Sequence, residues 1–148
     1  TTRWHENSIA VERGPLVYAL KIEEDWKKVF NNKDPEVYGS YYYEVFPKSE
    51  WNFGLLYNYD TKGLKNFKII KKDYNKDEPW NIQNAPIEIK VSAKKIVEWT
   101  LYNKTAGPLP YSHPFLEVNY PSEEPEEMIT LIPYGCTTLR IAEFPLVQ

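Results

Sequence analysis

Few residues in this sequence are able to carry out covalent chemistry. It contains two histidines, His5 and His113, and one cysteine, Cys136. A hydrolytic triad needs a histidine base, and a cysteine nucleophile needs a base or a positive field that lowers its pKa. His113 lies in a proline-rich loop, and Arg140 is the one cation close to Cys136 in the sequence. We therefore expect the histidines to be surface or loop residues and Cys136 to be a buried structural residue.

Other catalytic patterns are missing or weak. The acidic run at 123–127 has the composition of a solvated loop rather than of a glycosidase acid pair. The six glycines are scattered, so no loop is suited to hold a phosphate, and no Gly-x-Ser-x-Gly elbow occurs. A single cysteine excludes a zinc site built from several thiolates. The sequence thus predicts no catalytic residue, no metal site and no cofactor.

Five tryptophans are the remaining residues that suggest binding. Sugars present C–H faces that stack on aromatic rings, whereas buried rings fill a core, and for each of the five a packing role is favoured. Among them Trp51 and Trp80 are the candidate carbohydrate-binding residues. Trp51, at the start of a strand, is expected to be the most exposed. Trp80 also fits a plug against a sheet edge, and Trp99 is expected in the core.

Composition and charge narrow the classes of function. The chain has 148 residues, 42% of them apolar and 16% aromatic, which suits one globular domain over 1–148. Its net charge of −3 does not attract polyanions, and its six lysines between 62 and 76 alternate with aspartates on a solvated face. No segment reaches about 18 consecutive apolar residues. We expect no nucleic-acid partner and no membrane span.

The elements that must position these residues are mostly short strands. The segment 24–30 has apolar residues at helical spacing and predicts a short helical turn, and 96–101 fits either a strand or a turn. Gly14 and Pro15 predict a bend, and Gly135 a residue with positive φ. About eight or nine strands with almost no helix predict an all-β, antiparallel β-sandwich or jelly roll. The predicted strands are 8–22 (interrupted at 13–15), 41–46, 53–59, 67–74, 87–93, 128–132 and 138–144.

Two segments are specific enough to indicate a family. They are Glu-Arg-Gly-Pro-Leu-Val-Tyr within 11–20 and Pro-Tyr-Gly-Cys-Thr within 129–141, and shorter matches lie at 51–56, 79–80, 86–87 and 108–110. Together they resemble the C-terminal β-sandwich region of the β-L-arabinofuranosidase-like glycoside hydrolases, family 127 and its relatives, formerly a domain of unknown function.

The resemblance implies that hydrolysis takes place elsewhere in the polypeptide. In that family an α/α barrel precedes the sandwich and holds a cysteine nucleophile near a zinc site of Cys and Glu ligands. No segment here matches those ligands, so Cys136 does not inherit the nucleophile role. The chain then looks like a fragment of a longer hydrolase, with a periplasmic or secreted location and a plant-type glycan as the substrate of the whole enzyme.

Two functions follow as alternatives. The favoured one is a non-catalytic accessory β-sandwich that packs against the catalytic barrel of the same polypeptide, with Arg13 free to bridge to a carboxylate there. It predicts an exposed apolar patch larger than a monomer normally tolerates. The other is a carbohydrate-binding module, which predicts several coplanar exposed aromatic rings.

Overall fold

Strands that pair with distant parts of the chain make up most of the regular structure. The computed structural model describes residues 2–3, 5–111 and 123–147. Within them the expected all-β fold is confirmed: ten strands form a mostly antiparallel, sandwich-like sheet, two form a separate ribbon, and the one α-helix, α1 (Pro35–Tyr38), has four residues. The strands are β1 (Thr2–Arg3), β2 (Ile9–Arg13), β3 (Leu16–Leu20), β4 (Glu24–Phe30), β5 (Tyr41–Pro47), β6 (Phe53–Asn58), β7 (Gly63–Leu64), β8 (Lys68–Lys71), β9 (Ile87–Lys95), β10 (Glu127–Pro133), β11 (Glu143–Phe144) and β12 (Leu146–Val147).

In the main sheet, the interruption predicted at 13–15 is the turn of a hairpin. β2 and β3 pair antiparallel around Gly14, whose φ of 58° lies in the left-handed region that glycine adopts without strain. β3 then pairs with β10, β10 with β9, and β9 with β6, all antiparallel. Strands far apart in sequence are therefore neighbours in the sheet.

The C-terminal strands connect the two ends of this strand order. β11 pairs antiparallel with β2, and after Pro145 the chain continues into β12, which pairs parallel with β6. The Leu55 N–H donates to the Pro145 carbonyl oxygen at 2.8 Å. Residues 143–147 thus link β2, which also pairs with β1, to β6 and supply β6 with a neighbouring strand.

Gly54 allows this closure. A Cβ atom at that position would overlap Val147 Cγ1 and lie 3.1 Å from Ile96 Cδ1 and 3.3 Å from the Pro145 carbonyl oxygen. Since the last of these is backbone, a side chain could be accommodated only if the C-terminal strands moved.

The core lies inside the closed sheet. Tyr18, Leu55, Ile89, Leu131 and Phe144 are completely buried, and each such side chain contributes about 1.5–3 kcal/mol by leaving water. The remaining buried members of this cluster are Ile9, Val11, Leu20, Ile22, Phe53, Val91, Ala93, Ile129 and Leu146.

The central strand β9 departs from the expected alternation of apolar and polar faces. Its apolar face is buried as predicted, but Glu88 and Ser92 are buried as well. Glu88 Oε1 accepts hydrogen bonds from Lys21 Nζ at 2.9 Å and Lys72 Nζ at 2.6 Å. Burial by itself raises the pKa of Glu88, yet the hydrogen bonds and charges of Lys72 and Lys21 outweigh it and hold this pKa below its usual value.

The helical turn predicted at 24–30 is wrong. These residues form β4, which pairs with all seven residues of β5, from Glu24 opposite Pro47 to Phe30 opposite Tyr41. The tyrosine-rich β5 needs a partner, and cross-strand pairing outweighs a local helical spacing. We call β4, β5 and the intervening residues the ribbon.

Two other local predictions need correction, and one open alternative is decided. In 138–144 only Glu143–Phe144 is a strand, because the Thr138 and Leu139 N–H groups bind the Glu24 carboxylate instead of a neighbouring strand. Gly135 lies in a 3-10 turn and its φ is not positive. Of the two alternatives for 96–101, the structure shows the turn, in which the Trp99 N–H donates to the Ile96 carbonyl oxygen.

Candidate functional site

One face of the ribbon carries a row of exposed aromatic rings. The register of β4 and β5 places Trp26, Phe30, Tyr41 and Tyr43 on the same face, and all four are about half exposed or more. The Trp26 and Tyr43 ring centroids lie 6.0 Å apart, and those of Tyr41 and Tyr43 5.8 Å apart. Lys28 Nζ sits 3.8 Å from the Tyr41 ring centroid, so a cation covers part of the row.

The far end of the ribbon is the most exposed apolar surface among the described residues. There α1 connects the strands, and its Val37 and Tyr38 are 71% and 76% exposed. We call the five exposed side chains at this end the ribbon tip. Tyr42 alternates with Tyr41 along β5 and lies on the opposite face, so the tip is exposed on both sides. Large exposed apolar patches mark interaction sites. The ribbon tip consists of Phe30, Val37, Tyr38, Tyr41 and Tyr42.

The opposite end, the ribbon base, is held by one carboxylate. Glu24 Oε1 accepts hydrogen bonds from the Thr138 N–H at 2.7 Å, the Leu139 N–H at 3.2 Å and Thr137 Oγ1 at 3.2 Å. Glu24 Oε2 accepts one from Trp26 Nε1 at 3.0 Å. The same side chain thus ties the ribbon to residues 137–139 and fixes the orientation of the Trp26 indole.

The electrostatics of Glu24 follow from these bonds. Partial burial raises its pKa, but the hydrogen bonds from the Thr138 and Leu139 N–H groups, then those from Trp26 and Thr137, more than offset this and lower the pKa overall. Glu24 is therefore an anion at neutral pH, with its lone pairs already engaged. It is a structural anchor and not a general acid.

A cleft of about 350 Å³ opens beside the ribbon base. Trp26 from β4 and Trp80 from the loop between β8 and β9 both line it, with 51% and 49% of their surfaces exposed. Gln83, Thr138 and Arg140 also line this cleft. We call it the tryptophan cleft.

The two predicted carbohydrate-binding tryptophans have different surroundings. Trp80 is exposed in the tryptophan cleft. Trp51 is half-buried, with its ring centroid 5.2 Å from that of the buried Trp99, and it packs against two core clusters. The expectation that Trp51 is the most exposed is therefore wrong, while the core position of Trp99 is confirmed. Trp51 follows the ribbon in the chain, and its contact with Trp99 joins two segments that are far apart in sequence.

The sequence did not identify Trp26 as the partner of Trp80. The reason is that 24–30 was predicted to be a helical turn, so Trp26 was not expected to lie on a strand. The signal that was present is the run Tyr41-Tyr42-Tyr43, whose β-propensity calls for a neighbouring strand just before or after it.

Cys136 is buried, as expected from the sequence. Burial raises the pKa of its thiol, so the thiolate that a nucleophile requires is disfavoured. His113 lies outside the described residues, as does the side chain of His5. In the part of the chain that the structure describes, no three His, Cys, Asp or Glu side chains are grouped so as to hold a metal ion.

The lysine-rich segment is solvated, as predicted. All six lysines from 62 to 76 are exposed, and Lys65 pairs with Glu126 of the acidic run at 2.6 Å. The acidic run is thus partly neutralised by the adjacent lysine-rich loop. Among the described residues no helix is long and apolar enough to cross a membrane.

Comparison with known proteins gives no relative from which a function can be transferred. No family model matches the sequence, and neither a curated protein nor a solved structure matches the chain.

Proposed function

We propose that this chain is a non-catalytic accessory β-sandwich that docks, through the ribbon tip, onto the catalytic domain of the same polypeptide. In this proposal the whole protein is a glycoside hydrolase of the arabinofuranosidase-like kind, and that catalytic domain is an α/α barrel. The single observation that carries the docking role is the exposure of the ribbon-tip aromatics. The identity of the partner rests on the resemblance of the segments within 11–20 and 129–141.

The energetics of the ribbon tip favour a covered state. Burying an exposed Phe, Val or Tyr side chain is worth about 1.5–3 kcal/mol, so five of them supply ample free energy for docking. Aromatic residues are also enriched at the centres of protein interfaces, where they act as anchors. Tyrosines add hydroxyl groups that remain hydrated at a rim, which keeps the free domain soluble.

The ribbon does not offer a platform for a sugar chain. A flat glycan stacks on rings that share a plane, but the Trp26 and Tyr43 planes meet at 71° and the Tyr41 and Tyr43 planes at 83°. Edge-to-face packing of this kind suits an irregular protein surface. The carbohydrate-binding alternative therefore draws no support from the ribbon.

Hydrogen exchange compares this chain alone with the complete gene product that contains it. We expect the backbone amides of residues 30–42 to exchange at least about tenfold more slowly in the complete protein, because docking removes them from solvent. Amides of the exposed loop at 72–78 serve as the internal reference and should exchange equally in both. Equal exchange at 30–42 in both proteins, or a gene product without a helical catalytic domain, contradicts the proposal.

A double substitution sharpens the same test. Tyr38→Ser with Tyr41→Ser should abolish the slow exchange at 30–42 in the complete protein while the body of the domain stays folded. The matched control is Tyr74→Ser, since Tyr74 is 61% exposed and lies outside the ribbon. If the double variant keeps full protection, the ribbon tip is not the docking surface.

A further inference from the structure

We propose that the tryptophan cleft is a binding subsite for a neutral oligosaccharide, with a sugar ring stacked on the Trp80 indole. This goes beyond the docking role, because the cleft lies at the ribbon base and the docking surface at the ribbon tip. The two indoles come from separate elements, β4 and the loop between β8 and β9, so the fold itself brings them to one cleft.

The exposure of these indoles is not explained by packing. The tryptophans that stabilise the fold are Trp99, buried in a core cluster, and Trp51, packed against it. Trp26 and Trp80 belong to none of the core clusters of the described residues, and each leaves about half of its surface in water. An exposed indole costs solvation free energy that a stacked ligand recovers.

The Trp80 loop is also held in place before any ligand arrives. Asn81 Oδ1 accepts hydrogen bonds from the Gln83 N–H at 3.0 Å and the Asn84 N–H at 2.7 Å. Asn81 Nδ2 donates to Glu78 Oε2 at 3.2 Å. Trp26 is fixed by its bond to Glu24, so both walls of the cleft are preorganised and little entropy is lost on binding.

Three polar side chains along the cleft have hydrogen-bond donors that are not used within the described residues. Within the described residues, the Gln83 amide and the Thr138 hydroxyl form no hydrogen bond, although the backbone N–H of each residue does. Arg140 Nε donates to the Thr137 carbonyl oxygen at 2.9 Å, and its guanidinium stacks 4.6 Å from the Tyr134 ring centroid. The bond and the stacking hold the guanidinium plane and leave its terminal N–H groups for a ligand.

This combination specifies the class of ligand. Aromatic walls bind an apolar C–H face, while the amide, hydroxyl and guanidinium groups bind hydroxyls around its edge, and a sugar ring presents both. The charged groups of the cleft are the Glu24 anion and the Arg140 cation, which balance each other. A neutral sugar is therefore preferred to a uronic acid or a nucleotide.

The cleft continues on the other side of Trp80. A second, more apolar depression of about 380 Å³ shares Trp80 and Gly135 with it and is lined by Pro15 and the exposed Tyr134. A ligand of several sugar units can thus contact both depressions. Affinity should rise with chain length up to the number of units that the two depressions hold.

The test is a titration of the 148-residue chain, followed by tryptophan fluorescence and calorimetry. The probes are neutral hexasaccharides of arabinose, xylose, glucose and mannose, the corresponding disaccharides, and hexagalacturonate as the acidic arm. We expect at least one neutral hexasaccharide to saturate the signal with a dissociation constant below about 10 mM, and its disaccharide to bind more weakly. No saturation by any neutral hexasaccharide, or binding of hexagalacturonate alone, overturns the subsite.

Variants locate the binding. Trp80→Ala should weaken the best neutral ligand about tenfold, and Gln83→Ala by about threefold, with unchanged thermal unfolding since both side chains lie on an exposed loop. The matched control is Phe67→Ala, because Phe67 is an exposed aromatic residue that does not line the cleft. Unchanged affinity in Trp80→Ala overturns the assignment even if a sugar binds elsewhere.

The two proposals can fail separately. Tyr38→Ser at the ribbon tip should leave the sugar affinity unchanged, and Trp80→Ala should leave the hydrogen exchange of residues 30–42 in the complete protein unchanged. Loss of sugar binding in Tyr38→Ser contradicts the separation of cleft and tip.

Discussion

The ribbon and the closed sheet are built from similar β-forming residues. The apolar side chains of the closed sheet are mostly buried, whereas those of the ribbon are mostly exposed to solvent. Phe144 in β11 is fully buried, whereas Phe30 in β4 is 65% exposed. In the closed sheet the side chains of one strand face those of other strands across a core. The ribbon has two strands, and the described part of the chain leaves the rings of its aromatic face about half exposed or more. Strand formation and burial are therefore separate consequences of the sequence.

The ribbon and the closed sheet should also differ in stability, because only the closed sheet encloses a core. A two-stranded ribbon is marginal by itself in water, and this one relies on its register and on the Glu24 anchor. The closed sheet has inner strands paired on both sides, such as β9 and β10, and a common core. We expect the ribbon to open locally at a cost well below that of global unfolding.

The largest difference in the free energy of unfolding is expected when a phenylalanine is replaced by alanine in the closed sheet and in the ribbon. Phe144→Ala should lower the free energy of unfolding by about 3–5 kcal/mol, because it leaves a cavity where the last strands close the sheet. Phe30→Ala should lower it by less than about 0.5 kcal/mol, since the ring is mostly in water already. Urea unfolding of the two variants measures both values. Similar losses in the two variants contradict the distinction between ribbon and closed sheet.

Glycine substitutions probe the closure itself. Gly54→Ala should cost about 1–3 kcal/mol, as its new Cβ overlaps Val147 and crowds the Pro145 backbone. The matched control is Gly63→Ala on β7, where the nearest heavy atom to a new Cβ is 3.9 Å away. Thermal unfolding of the pair is the measurement. An unaffected Gly54→Ala variant means that the C-terminal strands move aside freely.

Acid should act on the closed sheet through Glu88. Its folded pKa is below the unfolded value of about 4.3, so its contribution to stability is complete above that value and is lost as the pH falls through the folded pKa. Glu88→Gln should cost about 1–2 kcal/mol at pH 7 and flatten the decline below about pH 5. The exposed Glu36→Gln serves as control in urea unfolding across pH. If the Glu88→Gln variant loses stability at low pH as steeply as the unsubstituted protein, this carboxylate is not the source of that loss.

A small global effect with a clear local one is expected at the ribbon anchor. Glu24→Gln should cost less than about 1 kcal/mol overall, yet the amides of β4 and β5 should exchange faster because the ribbon base is released. The pKa of Glu24 is also lowered, so in the unsubstituted protein the ribbon should loosen as the pH falls below about 4.3, and not above it. Asp25→Asn, on the neighbouring exposed residue, is the matched control. Slow ribbon exchange in Glu24→Gln contradicts the anchor.

The sequence predicted those parts of the fold whose signals are local. The alternation at 87–93 predicted a strand, which the structure confirms. The bend predicted at Gly14–Pro15 is also present, but it turns the chain back into an antiparallel hairpin that was not predicted from the sequence. The failure at 24–30 comes from pairing with β5, and the failure at 138–144 comes from a contact with Glu24. Glu24 pairs with residues more than a hundred positions away, and no local pattern reports that contact.

The candidate site was predictable only in part. Trp80 could be singled out because prolines on both sides of its segment indicate an exposed loop. Its partner Trp26 and the burial of Trp51 depend on tertiary contacts with the ribbon and with Trp99. Residue type alone thus identified the tryptophans as candidates. Tertiary structure, including the position of β4, determines that Trp26 and Trp80 line the same cleft.

Closure by residues 143–147 also determines when the protein can finish folding during translation. Ser8, beside β2, and Glu143 of β11 hydrogen-bond across 135 positions of sequence. At ordinary ribosome speeds their synthesis is separated by about 7–27 s. Throughout that interval the nascent chain has β2 and β6 without their final neighbours. A ribosome that stalls before it adds Glu143 should therefore release an aggregation-prone product and make the chain dependent on chaperones.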